Sequence, residues 1–489
     1  MITRDQLFID GRWVPATSDE VSRVVNPSTE EVYATVVEAS RADADAAIRA
    51  ARTAFDEGPW PRMSPVERAG VLRRIAAVMR RRQRELVDLD VLEVGRARML
   101  AESLFVEVPI SHFEDMADRV LPSFPFSEGM LPQVTGLGVG SGVVRRVPYG
   151  VASIVTPYNA PFFLAALKLG PALAAGCTVV LKPSPFTPLS AFVVAEIAEE
   201  AGLPRGVLNV VTGSPEVGEV LTTHPEVDLV SFTGSDTVGR KIMSQASDTL
   251  KKVVLELGGK SANIVCEDAD LSKVVPDVLM NFTINAGQGC SMLTRTLVHE
   301  SLLDDLVAGI KGALQHVKVG DPADPTVTMG PLISAAQRDK VENLIRAGLD
   351  EGAQIAYGGG RPTHLAKGFF IDPTVFVNVD NSMSIAQREF FGPVTVIIPF
   401  RTDDEAVQLA NQSDYGLAGG VWSGDPARAF HLGEQIRAGM ISLNGGGSGL
   451  SPHGPFGGFK QSGVGREWGR WGLEEFLQYK QLVWSMTKG

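Results

Sequence analysis

The sequence contains few cysteines and no dense run of basic residues. Cys177, Cys266 and Cys290 form no CxxC pair, which excludes a disulfide framework and an ordinary structural zinc site. The seven histidines show no metal-ligand spacing, so we expect no bound metal. The formal charge is −12, and phosphate backbones are held mainly by clustered Lys and Arg, so we expect no nucleic acid partner.

Long apolar runs are missing as well. The most apolar stretch, residues 160–181, contains a lysine and helix-breaking glycines and prolines, and it therefore predicts a helix and a short strand in place of a membrane span. Asp5 and Asp10 interrupt the apolar core that a signal peptide would need. Together with the cysteine usage, these features lead us to expect a cytoplasmic protein that does not contact membranes.

The chain of 489 residues is long enough for two or three domains. Apolar residues recur at helical spacing in residues 41–55, and Ser64 to Glu67 matches a capping box with a proline at the first helical position. The N-terminal region is therefore predicted to be mainly helical. Residues 122–142 are rich in Pro, Gly and Ser, so they are a linker, an excursion or an arm that pairs with another segment.

From residue 143 onward, short β-branched runs alternate with helical segments. Most of the runs lack polar alternation, as is typical of parallel strands covered on both faces; they are residues 151–156, 178–181, 207–211, 228–232 and 252–255. This succession predicts a doubly wound α/β sheet, and a second α/β region follows from about residue 260 to residue 465.

Ligands of such a sheet bind beyond the carboxyl ends of its strands. The segments that come directly after the runs are Pro157-Tyr158-Asn159, Lys182-Pro183-Ser184, Thr233-Gly234-Ser235 and Glu256-Leu257. Gly234 and Gly239 flank a helix entrance where backbone could approach a pyrophosphate, although a tight turn also explains this spacing. A Walker A loop is excluded because its leading glycine would have to stand at Val254.

Cys290 differs from the other two cysteines. The polar, glycine-containing residues 285–289 precede it and could expose its thiol, whereas Cys177 and Cys266 lie in apolar sequence. A thiolate is the strongest side-chain nucleophile, and a nearby backbone amide could stabilise an oxyanion. The spacing alone leaves two interpretations open, a catalytic nucleophile or a small buried residue.

Motifs over almost the whole chain resemble the NAD(P)-dependent aldehyde dehydrogenase family. In their expected order they are FIDGRW, PYNAP, LKLGPALAAGCTVVLKPS, FTGS, LELGGKSA, GQGC, EFFGPV and PFGGFKQSGVGRE. The resemblance implies a Rossmann-like cofactor domain, a second α/β catalytic domain and a small β arm for oligomerisation. We expect the cofactor domain at residues 1–121 and 143–258, the catalytic domain at 259–465 and the arm at 122–142 and 470–489. The arm in turn implies a homodimer or homotetramer.

The resemblance also implies catalytic roles. The family residue that matches Cys290 attacks the aldehyde carbon, and Asn159 with the Cys290 backbone N–H matches the pair that holds the oxyanion. Glu256 matches the general base through which water releases the free acid, a residue that the coenzyme A-dependent relatives lack. Lys168 and Glu467 match a proton path. Each residue alone would be an ordinary core, turn or surface residue, so the assignment depends on their joint appearance.

NAD is the cofactor that the resemblance implies. Lys182 and Glu389 match residues that hold its ribose hydroxyls, Ser235 matches one that meets the pyrophosphate, and Phe391 matches one beside the nicotinamide ribose. The other residues that we expect at this site are Thr156, Pro157, Tyr158, Ser184, Gly234, Gly239 and Leu257. Pro185 stands where many NAD-preferring members carry a glutamate that binds the adenosine ribose, so NADP stays open as a second cofactor.

The implied substrate is a small-molecule aldehyde. Its tunnel is expected to be largely apolar and lined by Phe163, Leu164, Leu167, Ser291, Met292 and Phe456. Leu167 stands where succinate-semialdehyde enzymes tend to carry an arginine and choline-type enzymes often carry a tryptophan. We therefore expect medium-chain aliphatic, terpenoid or aromatic aldehydes. Two alternatives are a non-redox esterase or thioesterase that uses Cys290 and Glu256, and a non-catalytic protein on the same scaffold.

Overall fold

The computed structural model describes residues 1–136, 138–446 and 450–486. Its strands, in chain order, are β1 Ile2–Arg4, β2 Gln6–Ile9, β3 Arg12–Pro15, β4 Val21–Val25, β5 Val32–Val37, β6 Ser127–Thr135, β7 Gly138–Pro148, β8 Val151–Val155, β9 Thr178–Lys182, β10 Leu208–Val210, β11 Leu229–Thr233, β12 Lys252–Glu256, β13 Ala262–Val265, β14 Arg295–His299, β15 Gln354–Tyr357, β16 Thr374–Val377, β17 Val394–Phe400, β18 Tyr415–Gly416, β19 Ala418–Trp422, β20 Met440–Leu443, β21 Phe459–Lys460, β22 Gly463–Val464 and β23 Leu477–Ser485.

The helices alternate with these strands over most of the chain. They are α1 Arg41–Asp56, α2 Pro65–Arg81, α3 Gln83–Val94, α4 Arg98–Leu100, α5 Glu107–Asp115, α6 Leu121–Ser123, α7 Pro161–Ala175, α8 Leu189–Glu200, α9 Pro215–Thr223, α10 Asp236–Ala246, α11 Leu271–Thr283, α12 Leu303–Leu314, α13 Ala335–Asp350, α14 Ser384–Gln387, α15 Asp403–Asn411, α16 Pro426–Gln435 and α17 Gly469–Glu475. Among the described residues, no helix is both long and apolar enough to cross a membrane.

The first large sheet has the strand order β22-β12-β11-β8-β9-β10-β2-β3. Its five central strands, β12 to β10 in this order, run parallel to one another, while β22 and β2 join the two edges in the antiparallel sense. These central strands are almost wholly buried, because helices cover both faces of the sheet. This is the doubly wound sheet that the apolar runs predict, and each predicted run agrees with an observed strand within one residue at either end.

The second large sheet has the strand order β15-β16-β17-β14-β13-β19-β20, parallel except for the pair β15–β16. It accounts for the second α/β region of the sequence. The strand β22, at residues 463–464, pairs instead with β12 of the first sheet. Residues just before 465, which the sequence-based boundaries assign to the catalytic domain, therefore belong structurally to the edge of the cofactor-domain sheet.

A separate three-stranded sheet has the order β23-β7-β6. Strand β7 pairs with the whole length of β23, from Pro148 opposite Leu477 to Gly140 opposite Ser485. The sheet therefore extends beyond the predicted arm of residues 122–142 and includes residues 143–148, which the sequence-based boundaries assign to the cofactor domain. Residues 137 and 487–489 of the predicted arm lie outside the described residues.

Helix α2 begins where the sequence places its capping residues. Ser64 accepts a hydrogen bond from the Glu67 N–H, and the Glu67 carboxylate accepts one from the Ser64 N–H, which completes the predicted capping box of α2. Helix α7 ends at Gly176, whose φ of 97° lies in the left-handed region that glycine tolerates. Helix α7 is buried along its whole length, and it begins directly after the segment that follows strand β8.

Candidate active site

The carboxyl ends of four neighbouring strands bring the predicted site segments to one edge of the first sheet. Strands β8 and β9 end at Val155 and Lys182, and β11 and β12 end at Thr233 and Glu256. At the ends of β8 and β9, the Thr156 N–H donates to the Lys182 carbonyl oxygen at 3.1 Å. At the ends of β11 and β12, the Gly234 N–H donates to the Glu256 carbonyl oxygen at 3.0 Å. The segments that the sequence places after separate strands are thus adjacent in space.

The loop that carries Cys290 has an unusual backbone. Asn285, Ala286 and Gly287 all have left-handed φ angles, of 51°, 52° and 70°. Non-glycine residues in this region are strained, so the surrounding contacts must hold the loop in place. A Cβ atom on Gly287 would lie 2.0 Å from the Gly392 carbonyl oxygen, which only a glycine permits.

Gln288 fixes this loop to a neighbouring segment. Its side-chain amide donates to the carbonyl oxygens of Asn285 at 3.2 Å and Pro331 at 3.4 Å, and its amide oxygen accepts from the Ile333 N–H at 3.0 Å. The side chain is almost fully buried. Because these bonds leave the loop little freedom, the residue two positions later, Cys290, has a defined location.

Asn159 lies directly against the same loop. Its Nδ2 donates to the Gln288 carbonyl oxygen at 3.1 Å, while the Asn285 Nδ2 donates to the Asn159 carbonyl oxygen at 3.1 Å. Asn285 also donates to the Gln288 carbonyl oxygen at 3.0 Å. The bond to Gln288 uses one of the two N–H groups of the Asn159 amide and directs Nδ2 toward the cysteine loop.

Cys290 itself is only partly buried, whereas Cys177 and Cys266 are fully buried. Although part of the residue is exposed, desolvation of the thiol raises the pKa of Cys290 to about 12. The negative charges of Glu256 and Glu389 act in the same direction. The thiol therefore carries its proton at neutral pH in the protein without ligands, and its activation needs a base or a change in its surroundings.

Glu256 is a candidate for such a base, because its charge acts on the thiol. It is 1% exposed, and neither of its carboxylate oxygens has a hydrogen-bond partner among the described residues. Burial raises the pKa of its carboxyl well above the ordinary value; the charge of Glu467 adds to this effect and that of Lys168 opposes it. A carboxylate with a raised pKa and unused lone pairs can accept a proton from a water molecule or a thiol.

A buried polar chain lies beside Glu256. The Lys168 ammonium group contacts the Glu467 carboxylate and donates to the Ser231 hydroxyl oxygen at 3.1 Å. Lys168 lies in α7 and Ser231 in β11, and both are almost fully buried. The ammonium, carboxylate and hydroxyl groups of these three side chains can exchange protons with one another, in a part of the protein with little access to water.

Lys182 and Glu389 form the opposite side of the site. Burial lowers the pKa of the Lys182 ammonium to about 8, and its Nζ donates to the Pro183 carbonyl oxygen at 3.3 Å. Glu389 accepts a hydrogen bond from the Gly259 N–H at 3.1 Å, and burial raises the pKa of its carboxyl to about 7. A Cβ on Gly258 would lie 2.7 Å from a Glu389 oxygen, so the glycine allows the carboxylate to approach the backbone.

Helix α10 begins at the same edge. Ser235 is its N-cap and accepts a hydrogen bond from the Val238 N–H at 3.4 Å, and a Cβ on Gly239 would lie 2.7 Å from the Leu257 side chain. The free N–H groups of a helix start favour an anionic group. Nearby, the Tyr158 ring packs edge-on against the rings of Phe391, at 6.0 Å between centroids, and Phe186, at 5.8 Å.

These residues fit a dinucleotide. The buried Lys182 and the half-buried Glu389 provide a donor and an acceptor for hydroxyl groups, and the start of α10 provides N–H groups for a phosphate. Ser184 and Pro185 lie on the loop after Lys182, where Ser184 is partly and Pro185 fully exposed. Because Gly239 has no side chain, Leu257 can pack closely against the first turns of α10.

An apolar cluster lies beside the thiol. Four residues of the predicted tunnel belong to it, Phe163, Leu164, Leu167 and Phe456, and Cys290 packs at its border. Ser291 and Met292 are partly exposed, and the Met292 side chain lies close to Gly289, where an added Cβ would be 2.3 Å from the methionine methyl carbon.

Several members of this region carry no signal in the sequence. The cluster also contains Leu417, Trp468, Phe105, Val108 and Leu450. Trp468 follows Glu467 directly and has a φ of 73°, and its ring packs in a tilted arrangement on Phe456 with 4.4 Å between centroids. Arg96 donates to the Asn159 carbonyl oxygen from a helical region that is distant in sequence. Only the proximity of Trp468 to Glu467 could have identified one of them from the sequence.

Comparisons with known proteins agree with this geometry. The sequence model of the aldehyde dehydrogenase family matches residues 13–482. A 3-succinoylsemialdehyde-pyridine dehydrogenase from a Pseudomonas species is 42% identical over 482 residues, which are 98% of this chain and 98% of that protein. The match therefore extends over both proteins almost completely.

Solved structures of aldehyde dehydrogenases also match this chain over almost its whole length. An aldehyde dehydrogenase of Mycobacterium tuberculosis in complex with NAD+ has a TM-score of 0.95 and 42% identity, covering 100% of this chain and 99% of that chain. A cysteine-to-alanine mutant of aldehyde dehydrogenase C from Pseudomonas syringae, in complex with NAD+ and octanal, has a TM-score of 0.92 and 41% identity, covering 98% and 96%. The predicted fold class is thereby confirmed.

The raised pKa of Cys290 has a measurable consequence. Since only the thiolate is alkylated, the rate of iodoacetamide labelling in the absence of ligands should rise about tenfold per pH unit from pH 7 to pH 10, without a plateau. Glu256→Gln removes the negative charge next to the thiol and should accelerate labelling at pH 8. Cys290→Ser is the control, because the two other cysteines are buried. A plateau below pH 9, or slower labelling of Glu256→Gln, would contradict the electrostatic account.

Proposed function

The chain belongs to the aldehyde dehydrogenase family, and on this premise we propose that it oxidises an aldehyde to the carboxylic acid through a covalent intermediate on Cys290, with NAD as cofactor. The observation that carries the proposal is the convergence of three groups. The Cys290 thiol packs against the apolar cluster, and the Asn159 amide donates to the loop that carries the thiol. The charge of the Glu256 carboxylate acts on the thiol, and this carboxylate has no hydrogen-bond partner among the described residues. This set provides a nucleophile, an oxyanion donor and a base.

In the first half of the reaction, the Cys290 sulfur attacks the aldehyde carbon and a thiohemiacetal forms. The thiol proton must leave, and Glu256 can accept it because burial raises the pKa of its carboxyl. The second N–H of the Asn159 amide and the backbone N–H of Cys290 are the donors proposed for the oxyanion. Fixed donors in a buried site stabilise such a charge without reorganisation.

Collapse of the oxyanion leaves a thioester on Cys290. The cofactor, when bound, accepts the hydride that leaves the thiohemiacetal carbon. Lys182 and Glu389 are proposed to hold its ribose hydroxyls, and the start of α10 at Ser235 its pyrophosphate. Phe391 and Tyr158, which pack edge-on, are proposed to border the nicotinamide side of the cofactor.

In the second half, once the proton taken from the thiol has left Glu256, this carboxylate is proposed to take a proton from a water molecule that attacks the thioester. The acid is released and Cys290 recovers its thiol. The chain of Lys168, Glu467 and Ser231 lies beside Glu256 and offers a route for the proton to leave. Loss of Glu256 should slow the hydrolysis of the thioester more than its formation, because removing its negative charge also lowers the pKa of the Cys290 thiol and so offsets part of the loss of the base in the first half.

The proposed substrates are medium-chain aliphatic, terpenoid or aromatic aldehydes. The apolar side chains of Phe163, Leu164, Leu167 and Phe456, which form the cluster against which Cys290 packs, support this class. Octanal is the aldehyde in the solved Pseudomonas syringae complex, and the similar Pseudomonas enzyme is named for a semialdehyde with a pyridine ring. Both names are compatible with an apolar pocket.

A panel of aldehydes tests the substrate class. With NAD in excess, formation of reduced nicotinamide should show a higher kcat/KM for hexanal, octanal or benzaldehyde than for succinic semialdehyde, because the apolar side chains of the cluster cannot replace the water around the carboxylate of the last. Cys290→Ala should abolish turnover of all four. A higher kcat/KM for succinic semialdehyde would contradict the apolar assignment, and ester hydrolysis without any aldehyde oxidation would favour the non-redox alternative.

Cofactor choice depends on the loop after Lys182. Pro185 brings no carboxylate to this loop, so nothing there is expected to repel the 2′-phosphate of NADP. We therefore propose that NAD is used and that NADP is accepted as well. Pro185→Glu should lower kcat/KM for NADP by roughly tenfold or more, the effect of about 1.4 kcal/mol of repulsion, and spare NAD. Pro185→Gln is the uncharged control; an equal loss in both variants would show that the proline, not the charge, matters.

The β23-β7-β6 sheet is proposed to join subunits into a homodimer or homotetramer. Its large apolar side chains are strongly exposed in the single chain, among them Leu131 at 90% and Val483 at 66%. Sedimentation velocity should give at least twice the mass of one chain. Val483→Glu should shift the equilibrium toward smaller species, whereas Phe430→Glu, on an exposed position of α16, should not. A stable monomer at micromolar concentration would contradict the proposal.

A further inference from the structure

Arg96 is a buried cation with an unusual set of contacts. It follows Gly95, the left-handed residue that ends α3, and its side chain is about 1% exposed. Its Nε donates to the Asp90 carboxylate at 2.5 Å, and its Nη2 donates to the Asn159 carbonyl oxygen at 2.7 Å. The guanidinium carbon lies 3.2 Å from the centroid of the Phe105 ring. Asp90 balances the charge, and Phe105 covers one face of the guanidinium.

The bond to Asn159 is not needed to neutralise the arginine. Asp90 already supplies the counter-charge, and an arginine that served packing alone could direct its remaining donors elsewhere. Instead, the charged guanidinium of Arg96 donates to the main chain of Asn159, and the side chain of Asn159 is the proposed oxyanion donor. Hydrogen bonds from charged donors are stronger and shorter than neutral ones, so this contact restricts the position of Asn159 more than the bond from Asn285 does.

The backbone around Arg96 also contacts the segment that holds the cysteine loop. A Cβ on Gly330 would lie 1.8 Å from the Gly95 carbonyl oxygen, and one on Gly95 would lie 2.7 Å from the Pro331 ring. Pro331 in turn accepts a hydrogen bond from the Gln288 amide. The turn at Gly95 and Arg96 therefore contacts two segments that position the proposed oxyanion donors. One is the Asn159 main chain, and the other is the segment at Pro331 to which Gln288 of the Cys290 loop is bonded.

We propose that Arg96 is a positioning residue for the oxyanion donor: its guanidinium fixes the Asn159 main chain so that the side-chain amide faces the reacting carbon on Cys290. The proposal rests on the proposed function, since it gives Asn159 the role described there. Arg96 acts through Asn159 and touches neither substrate nor cofactor in this account. It therefore affects kcat, while the binding of aldehyde and NAD stays unchanged.

The test is a double-mutant cycle on kcat with saturating NAD and octanal. Arg96→Met should lower kcat by roughly tenfold or more, the loss expected for one hydrogen bond from a charged donor, with both KM values changed less than threefold. In the Asn159→Ala background the same change should cost less than about threefold, because the group that Arg96 positions is already gone. A residue with only a general structural role would lower kcat by the same factor in both backgrounds.

The outcomes separate the inference from the proposed function. If Asn159→Ala alone leaves kcat within twofold of the wild type, the oxyanion assignment is wrong and the inference fails with it. If Asn159→Ala lowers kcat strongly but the loss from Arg96→Met is equal in both backgrounds, or absent, only the role of Arg96 is overturned. A strongly reduced loss in the Asn159→Ala background supports both.

Two further variants keep the test decisive. Arg96→Met leaves Asp90 without a partner, so if this variant does not fold, the cycle is run with Arg96→Lys, which keeps the positive charge but cannot bond to both acceptors at once. Arg68→Met is the matched control. Arg68 is also buried and donates to the carbonyl oxygens of Ala174 and Met63, so its loss should lower the thermal midpoint while kcat per folded molecule stays unchanged.

Discussion

Burial of ionisable groups around one thiol is the constraint on which the rest of the structure depends. Glu256, Lys168 and Glu467 are all nearly inaccessible to water, and the desolvation of such groups is expensive unless each charge has a defined partner. Lys168 and Glu467 satisfy one another, and Glu256 is left without a hydrogen bond among the residues that the structure describes. The protein therefore keeps one carboxylate in an unfavourable state at the position where a base is useful.

The fold maintains this state by fixing the backbone on every side. The first sheet supplies Glu256 and Lys182 from the ends of strands that each pair with a parallel, buried neighbour, so neither residue can shift without breaking the ladder. The cysteine loop has three consecutive left-handed residues, and its strain is balanced by the Gln288 side chain and the close approach of Gly287 to Gly392. Rigid loops of this kind place donors before the charge develops, which is the condition for effective stabilisation of an oxyanion.

The sequence predicts the central strands and the main site segments because parallel strands buried on both faces appear as unbroken apolar runs, and the segments after these runs lie together at one sheet edge. The capping box at Ser64 involves residues that are close in sequence, so it can be recognised from the sequence alone. Strands β6 and β7 are different. Both contain glycine, β6 is mostly exposed and β7 mostly half-buried, and β7 is paired with the distant β23, so no local alternation marks them. Arg96 and Trp468 could not be assigned either, because their roles depend on contacts with residues far away in sequence.

The central claim, a covalent intermediate on Cys290 that Glu256 helps to hydrolyse, is tested most directly by trapping the thioester. Glu256→Gln is mixed with NAD and octanal, quenched in acid and digested, and the peptide that contains Cys290 is examined by mass spectrometry. The account predicts an octanoyl group on Cys290 in nearly every molecule, with one equivalent of reduced nicotinamide formed per active site. Formation of reduced nicotinamide without any adduct on Cys290 would contradict it.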